Sequence, residues 1–212
     1  YLFCVVAQYQ NFVTLALVFF EIVCHKVEVF VKYSLHSLVE VYCFFADKVA
    51  GAYYNDIEFC KQLLPIFGER IFTEQGVPDK RKIAEIVFAD TEKLNQLNSL
   101  IHPRVMSDFA LWVDKHINSP YVIQENAILF EHGFDKIFDK TIVVYAPKDV
   151  RIRRVLKRDN TTLEAVEARM NNQMDDDDKR SRADFVIINY KGEKYRNERV
   201  EKVHEKILKL RG

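Results

Sequence analysis

The chain is predicted to fold as an α/β protein built around a parallel sheet. Three short runs rich in β-branched residues, at 122–129, 141–145 and 185–188, have the composition of strands buried on both faces. Helical patterns separate these runs, and strands that alternate with helices form right-handed βαβ units. With 212 residues, 49% of them hydrophobic, the chain is long enough to bury one full core. Ligands of such folds bind beyond the carboxyl ends of the strands.

Charge and cysteine content exclude several classes of protein. The chain carries 31 basic and 31 acidic residues, so we expect neither a sequence-independent grip on nucleic acid nor attraction to an anionic membrane. The four cysteines form no CxxC pair and have no histidine at zinc-finger spacing, which argues against a structural metal site or a disulfide framework. We therefore expect no metal ligands among them and a reducing, cytoplasmic location.

The first 45 residues differ from the rest. They contain no glycine and no proline, and valine, phenylalanine, tyrosine and leucine dominate them. Their longest charge-free apolar stretch, at 12–20, is much shorter than the roughly 20 residues that span a bilayer, so no membrane anchor is expected. The abundance of β-branched and aromatic residues favours buried strands with a helix between them.

Four helices are predicted between the two halves of the sheet. The first covers 56–67 and ends at Gly68, and the second covers 79–88 with apolar residues on one face. A third, at 91–101, is expected to stop at His102 and Pro103, because the residue before a proline disfavours the helical region. The fourth covers 104–117. An apolar heptad-like pattern predicts a further surface helix at 196–210.

Motifs spread over residues 41–210 resemble those of the dephospho-CoA kinase family. They stand in family order and at family spacing, so a chance match is a poor explanation. The motifs are FGERIF at 67–72, GVPDKRKIAEIVF at 76–88, KLNQLNSLIHP at 93–103, ILFE at 128–131, VYAP at 144–147, KRD at 157–159, ARMNNQ at 168–173 and RADFVIIN at 182–189.

The resemblance implies a P-loop-kinase-like three-layer fold with a parallel sheet, a helical substrate-binding insertion and an arginine-rich lid. The implied core covers 1–55, 118–150 and 183–212, the insertion that binds dephospho-CoA covers 56–117, and the lid covers 151–182. The implied reaction is transfer of the ATP γ-phosphoryl group to the 3′-hydroxyl of dephospho-CoA, with Mg²⁺, in the last step of coenzyme A biosynthesis. A monomer and a weak homo-oligomer are both open.

The resemblance also assigns roles to individual residues. Asp47, within Phe45-Ala46-Asp47, takes the position of the catalytic carboxylate and would act as the general base. Catalytic roles are further implied for Arg154 and Arg158, contacts with ATP for Arg158, Arg169 and Asn189, and contacts with dephospho-CoA for His102, Pro103, Phe130 and Glu131. Guanidinium groups bind phosphate oxygens bidentately, and an amide suits a purine edge.

Each role has a structural alternative. Asp47 could be a helix N-cap, Asn189 a turn residue, His102 a structural hydrogen-bonding group and Glu131 a capping residue. Arginines on a solvent-facing helix commonly pair with acids, and we favour that interpretation for Arg151 and Arg153, with Glu164 and Glu167 nearby in the sequence. The acidic run at 175–178 is predicted to be a solvated connection beyond the lid.

One family motif does not occur in this sequence. The family opens with a strand that enters a G-x-x-x-x-G-K-[ST] loop, whose backbone amides bind the ATP phosphates. The first glycine here is Gly51, and the region where the loop is expected, 25–34, contains none. Either the chain is a diverged, catalytically silent relative that binds CoA-like ligands or acts as a regulatory partner, or residues 1 to about 40 are an out-of-frame translation. We hypothesise the second.

Overall fold

Five parallel strands form one sheet in the computed structural model. The structure describes residues 13–19, 41–126, 128–159, 161–171 and 173–211, with the backbone alone at 13–19. The strands are β1 (Val13–Phe19), β2 (Tyr42–Phe45), β3 (Tyr121–Glu125), β4 (Lys140–Tyr145) and β5 (Phe185–Ile188), in the order β2-β3-β1-β4-β5. The predicted parallel α/β architecture is confirmed. The expected helix between the first two strands and the 25–34 region lie outside the described residues.

The central strands are apolar because both faces of the sheet are covered. All five residues of β3 are buried, and Ile142, Val143 and Val144 of β4 are at most 2% exposed. The register places Leu17 of β1 beside both Glu125 and Ile142, so β1 is the middle strand. Parallel pairing with covered faces explains why the apolar residues at 121–123 of β3 and 142–145 of β4 are continuous rather than alternating.

Eight α-helices accompany the strands within the described residues. They are α1 (Ala46–Tyr53), α2 (Ile57–Phe67), α3 (Lys80–Ala89), α4 (Thr91–Lys115), α5 (Lys148–Asp159), α6 (Leu163–Asn171), α7 (Asp176–Arg182) and α8 (Glu193–Leu208). The chain divides into two compact units, residues 46–114 and the remainder. The division into core, insertion at 56–117 and lid at 151–182 stays a prediction. No helix in the described part of the chain is both long and apolar enough to cross a membrane.

The unit at 46–114 has its own apolar core, contributed by α2, α3, α4 and the short 3₁₀ turn Glu69–Ile71. Its buried members are Phe59, Leu63, Phe67, Ile71, Ile83 and Leu97. Full burial of such side chains stabilises by about 1.5–3 kcal/mol each. Asp56 caps α2 by accepting hydrogen bonds from the backbone N–H groups of Glu58 and Phe59 at 2.7 and 3.2 Å. Gly68 ends it at a φ of 73°.

Two predicted element boundaries are wrong. The helix expected to stop at His102 and Pro103 continues through them as the single 25-residue helix α4. Pro103 removes one backbone hydrogen bond, but buried Val105 and Phe109 beyond it keep the helix packed, so tertiary burial outweighs the local preference. The strand expected at 122–129 ends at Glu125, because the Asn126 side chain accepts the N–H of Ile128 at 3.0 Å and turns the chain.

The acidic run at 175–178 also differs from the prediction. Three of its four aspartates are exposed, as predicted, but the run is the start of α7 rather than a connection. The Asp175 side chain accepts the N–H of Asp177 at 2.8 Å as an N-cap. Carboxylates in a first helical turn are favoured by the partial positive charge of the helix N-terminus. Asp176 points inward and pairs with Arg151 of α5, so part of the run belongs to the interior.

Candidate active site

The carboxyl ends of β4 and β5 lie at one edge of the sheet. Tyr145 and Ile188 end these strands and pair with one another in register. Asn189 follows directly, donates its backbone N–H to the carbonyl of Tyr145 at 2.8 Å, and is 4% exposed. The hydrogen bonds between β4 and β5 thus continue one residue beyond β5, where the Asn189 side chain is buried. This edge is where parallel α/β proteins bind ligands.

Helix α5 begins beyond β4 and carries arginines in two different environments. Arg151 is 4% exposed and forms an ion pair with Asp176 of α7. Burial raises the pKa of Asp176, although Arg151 and Lys179 act in the opposite direction. Arg153 is exposed and pairs with Asp149 one turn earlier at 2.9 Å. The expectation that Arg151 and Arg153 pair with acids is met, but Arg151 is buried and the partners are not Glu164 and Glu167.

Arg154 is the exception on this helix. It is half-buried, and no carboxylate within the described ranges forms an ion pair with it. Burial lowers the pKa of Arg154, and the nearby charges of Arg196 and Arg153 lower it further. Arg196, in the first turns of α8, is 7% exposed, and its Nε has no hydrogen-bond partner among the residues that the structure describes. Within the described part of the chain, the two guanidinium groups thus share one weak carboxylate contact, from Arg196 to the exposed Glu193 at 3.3 Å.

Such an arrangement favours an anionic ligand. Arginines placed near one another repel, and burial strengthens that repulsion because water screens it less. A phosphate group would accept hydrogen bonds from guanidinium N–H groups and offset the repulsion.

Two other arginines of the predicted site lie on α5 and α6. Arg158 follows Arg154 by one helical turn, is exposed, and holds the neighbouring Asp159 through its Nη2 at 2.6 Å. Arg169 lies on α6, and its side chain falls outside the described residues. Arg154 and Arg158 share one helix face because residues four apart are neighbours on a helix.

Phe130 and Glu131 lie in the turn that follows β3. Phe130 is 3% exposed, and the Arg182 guanidinium lies over its ring at 4.5 Å. Glu131 forms an ion pair with the Lys179 ammonium at 2.6 Å and accepts a hydrogen bond from the backbone N–H of Met174 at 3.1 Å. Both residues are therefore held by contacts from the 174–182 region.

The remaining predicted residues belong to the other compact unit. Asp47 is exposed and lies in the first turn of α1, two residues after the end of β2 in the chain. It is inside the helix, not at the N-cap position of the structural alternative. His102 is half-buried and Pro103 exposed, both in the interior of α4. Among the described residues, no group of three or more His, Cys, Asp or Glu side chains could hold a metal ion.

Comparison with known proteins gives the family. The family model "Dephospho-CoA kinase" matches residues 30–194. A dephospho-CoA kinase from Leptospira interrogans is 38% identical over 155 residues, which are 72% of this chain and 75% of the relative. The chain belongs to the dephospho-CoA kinase family. Members of this family are ATP-dependent phosphotransferases, and the predicted resemblance is confirmed.

Two solved structures support the same fold. The protein TT1252 from Thermus thermophilus is 31% identical, with a TM-score of 0.72 over 84% of this chain and 90% of that one. A dephospho-CoA kinase from Campylobacter jejuni is 26% identical, with a TM-score of 0.60 over 92% of this chain and 98% of that one. The dephospho-CoA kinase match begins at residue 30, eleven residues before the resemblance found from motifs alone.

Three residues that contribute to the site were missed by sequence reasoning. Lys179 and Arg182 follow the acidic run and were given no role, although their i, i+3 spacing puts them on one side of a helix. Arg196 was taken as the first residue of an ordinary surface helix. Nothing in the sequence indicates that it approaches Arg154 across 42 positions.

Proposed function

We propose that the protein is an ATP:dephospho-CoA phosphotransferase that transfers the γ-phosphoryl group to the 3′-hydroxyl of dephospho-CoA, the last step of coenzyme A biosynthesis. The observation that carries the proposal is Arg154, a half-buried arginine beside Arg196 with no carboxylate of its own in the described chain. In a family of ATP-dependent kinases, ATP phosphate is the anion that fits this pair. Family membership supplies the acceptor.

The arginines would act on charge in the transition state. Phosphoryl transfer passes through a loose transition state with charge spread over the equatorial oxygens, so catalysis consists of positioning and electrostatic stabilisation. Arg154 and Arg158 on one face of α5, with Arg169 on α6, would bind these oxygens. Arg158 would exchange its contact with Asp159 for phosphate. The buried amide of Asn189 would bind the adenine edge.

Asp47 would be the general base. Its carboxylate is exposed at the start of α1 and would accept the proton of the attacking 3′-hydroxyl. Mg²⁺ fits the residues present, because this ion is commonly held by one or two carboxylates together with substrate phosphates rather than by a protein cage. Glu125, buried at the carboxyl end of β3, would supply an oxygen ligand. When bound, the ion neutralises charge on the β- and γ-phosphates.

Contacts with the acceptor would come from two regions. His102 and Pro103 on α4, and Phe130 and Glu131 after β3, are the family positions for dephospho-CoA. The half-buried imidazole of His102 would form a hydrogen bond with part of the acceptor.

A second candidate is a catalytically silent relative that binds CoA-like ligands. One observation favours it: β1 is the middle strand of the sheet, yet no glycine occurs in the 31 residues between Phe19 and Gly51. Backbone amides can approach phosphate closely where glycine is present, so its absence removes the family's usual means of holding ATP.

A coupled assay of ADP release separates these candidates. The purified chain is incubated with ATP and Mg²⁺ and with dephospho-CoA, AMP or CMP as acceptor, and Arg154→Met serves as the comparison variant. We expect ADP release with dephospho-CoA alone, and much less from the variant. Thermal stabilisation by dephospho-CoA without ADP release would support the silent relative, and release with AMP or CMP would indicate a nucleoside monophosphate kinase.

A further inference from the structure

Helix α7 holds the turn after β3 through two cations spaced three residues apart. Lys179 is fully buried, and its Nζ lies 2.6 Å from Oε1 of Glu131. Arg182 lies over the ring of Phe130 at 4.5 Å, donates to its carbonyl at 3.4 Å, and pairs with Asp135 at 2.8 Å. Consecutive residues of the turn are therefore held by two cations on one face of α7.

Two ion pairs form a charge cluster around Lys179. The buried cations Lys179 and Arg151 pair with the half-buried carboxylates of Glu131 and Asp176. Burial lowers the pKa of Lys179, while Glu131 and Asp176 raise it and Arg151 lowers it. A cluster of this kind contributes little net stability compared with apolar packing, but removal of one member leaves an uncompensated charge in the interior.

The charged contacts of Lys179 and Glu131 position the turn after β3 more tightly than apolar packing would. An apolar cluster would fill the same space but would tolerate small shifts of the turn. The ion pair fixes the distance between Lys179 and Glu131, and the Met174 N–H donates a hydrogen bond to the same Glu131 oxygen at 3.1 Å, which adds direction. The turn that carries Phe130 is thus set by the position of α7, which continues the arginine-bearing segment of α5 and α6.

We infer that Lys179 is a positioning residue for the acceptor site. Its ion pair with Glu131, together with the contact of Arg182 with the Phe130 ring, couples the end of the lid segment to the turn that would meet dephospho-CoA. This inference rests on the proposed function for its effect on the acceptor. Glu131 thus has a structural partner in Lys179, in addition to the contact with the acceptor that its family position implies.

The test compares Lys179→Met with Lys179→Arg in the full chain. Lys202→Met, the same substitution at an exposed lysine of α8, is the matched control. Because displacement of a positioning shell by about 1 Å commonly reduces activity by 10- to 100-fold, we expect Lys179→Met to raise KM for dephospho-CoA at least about tenfold. KM for ATP should change far less, Lys179→Arg should recover part of the loss, and the control should match the wild type.

Hydrogen exchange of the ligand-free protein gives an independent readout. Peptides covering 128–135 should exchange faster in Lys179→Met than in the wild type or in Lys202→Met, while peptides from α4 should not change. Glu131→Gln, which keeps the shape of the side chain, serves if Lys179→Met does not fold, and the same increase is expected. If the wild type does not phosphorylate dephospho-CoA, the proposed function fails, and exchange still decides whether Lys179 holds the turn. Unchanged exchange at 128–135, or equal rises in both KM values, would overturn the inference.

Discussion

Two arginines three residues apart on α5 are expected to respond in opposite ways to the same substitution. Arg151 is buried and paired with Asp176, whereas Arg154 is half-buried beside Arg196 and has no carboxylate partner among the described residues. Methionine preserves much of the length of either side chain and its helix propensity, so Arg151→Met and Arg154→Met form a matched pair.

The structure sets the size of each effect. Breaking a buried ion pair commonly costs 3–5 kcal/mol, and because the Asp176 side chain is still 19% exposed we expect about 3 kcal/mol for Arg151→Met. For a chain of this length that corresponds to a fall in Tm of roughly 6–12 °C. Arg154→Met removes no ion pair with any residue that the structure describes and relieves repulsion from Arg196, so stability should change by no more than about 0.5 kcal/mol.

Function should change in the reverse order. Loss of a charge-assisted bond to phosphate costs about 1.5–3 kcal/mol, which weakens ATP binding by about 10- to 100-fold. Thermal unfolding with and without ATP measures both effects in one experiment. We expect Arg151→Met to have a low Tm that ATP still raises, and Arg154→Met to have a normal Tm that ATP barely changes. Equal destabilisation by both substitutions, or a full ATP response in Arg154→Met, would refute the reasoning.

Four further results are expected. Burial alone would raise the pKa of Asp184, but hydrogen bonds from Lys140 and Thr141 lower it. The stability that these hydrogen bonds contribute should be lost as pH falls below about 4. Asp184→Asn should lower the free energy of unfolding in urea at pH 7 by about 1–2 kcal/mol. Burial lowers the pKa of His204 despite Glu205 and Glu201, so stability should decline as pH falls below about 6.5, with a smaller slope in His204→Asn. Asp56→Ala should destabilise α2 by about 1 kcal/mol, measured by thermal unfolding. Sequencing of the coding DNA should reveal a frame upstream of codon 41 that encodes a glycine-rich GKS or GKT loop. If no upstream frame encodes such a loop, the out-of-frame hypothesis is wrong.

Local chemistry made parts of the fold predictable. Helix α2 was predicted at 56–67 and is observed at Ile57–Phe67, because an aspartate at its start and a glycine after its end supply both caps. Strand β5 was predicted at its observed bounds from its composition. Pro103 shows the limit of such reasoning, since a local rule placed a helix end there and packing further along the helix overrode it.

The positions of the candidate site residues were predictable only where a residue belongs to a motif of the family. Asn189 could be placed at the end of β5 from the sequence, and it lies there, buried. The partners that set the environment of the arginines could not be predicted, because Asp176 is 25 positions from Arg151 and Lys179 is 48 from Glu131. Such pairs depend on how α5 and α7 return to the sheet, which no local pattern encodes.

The most direct test of the account is phosphorus NMR of the product formed from ATP and dephospho-CoA by this chain. We expect a new monoester phosphate on the ribose 3′-hydroxyl, formed in step with ADP and greatly reduced in Arg154→Met. A spectrum that contains only ATP and dephospho-CoA after prolonged incubation, with a protein that is folded by thermal unfolding, would contradict it.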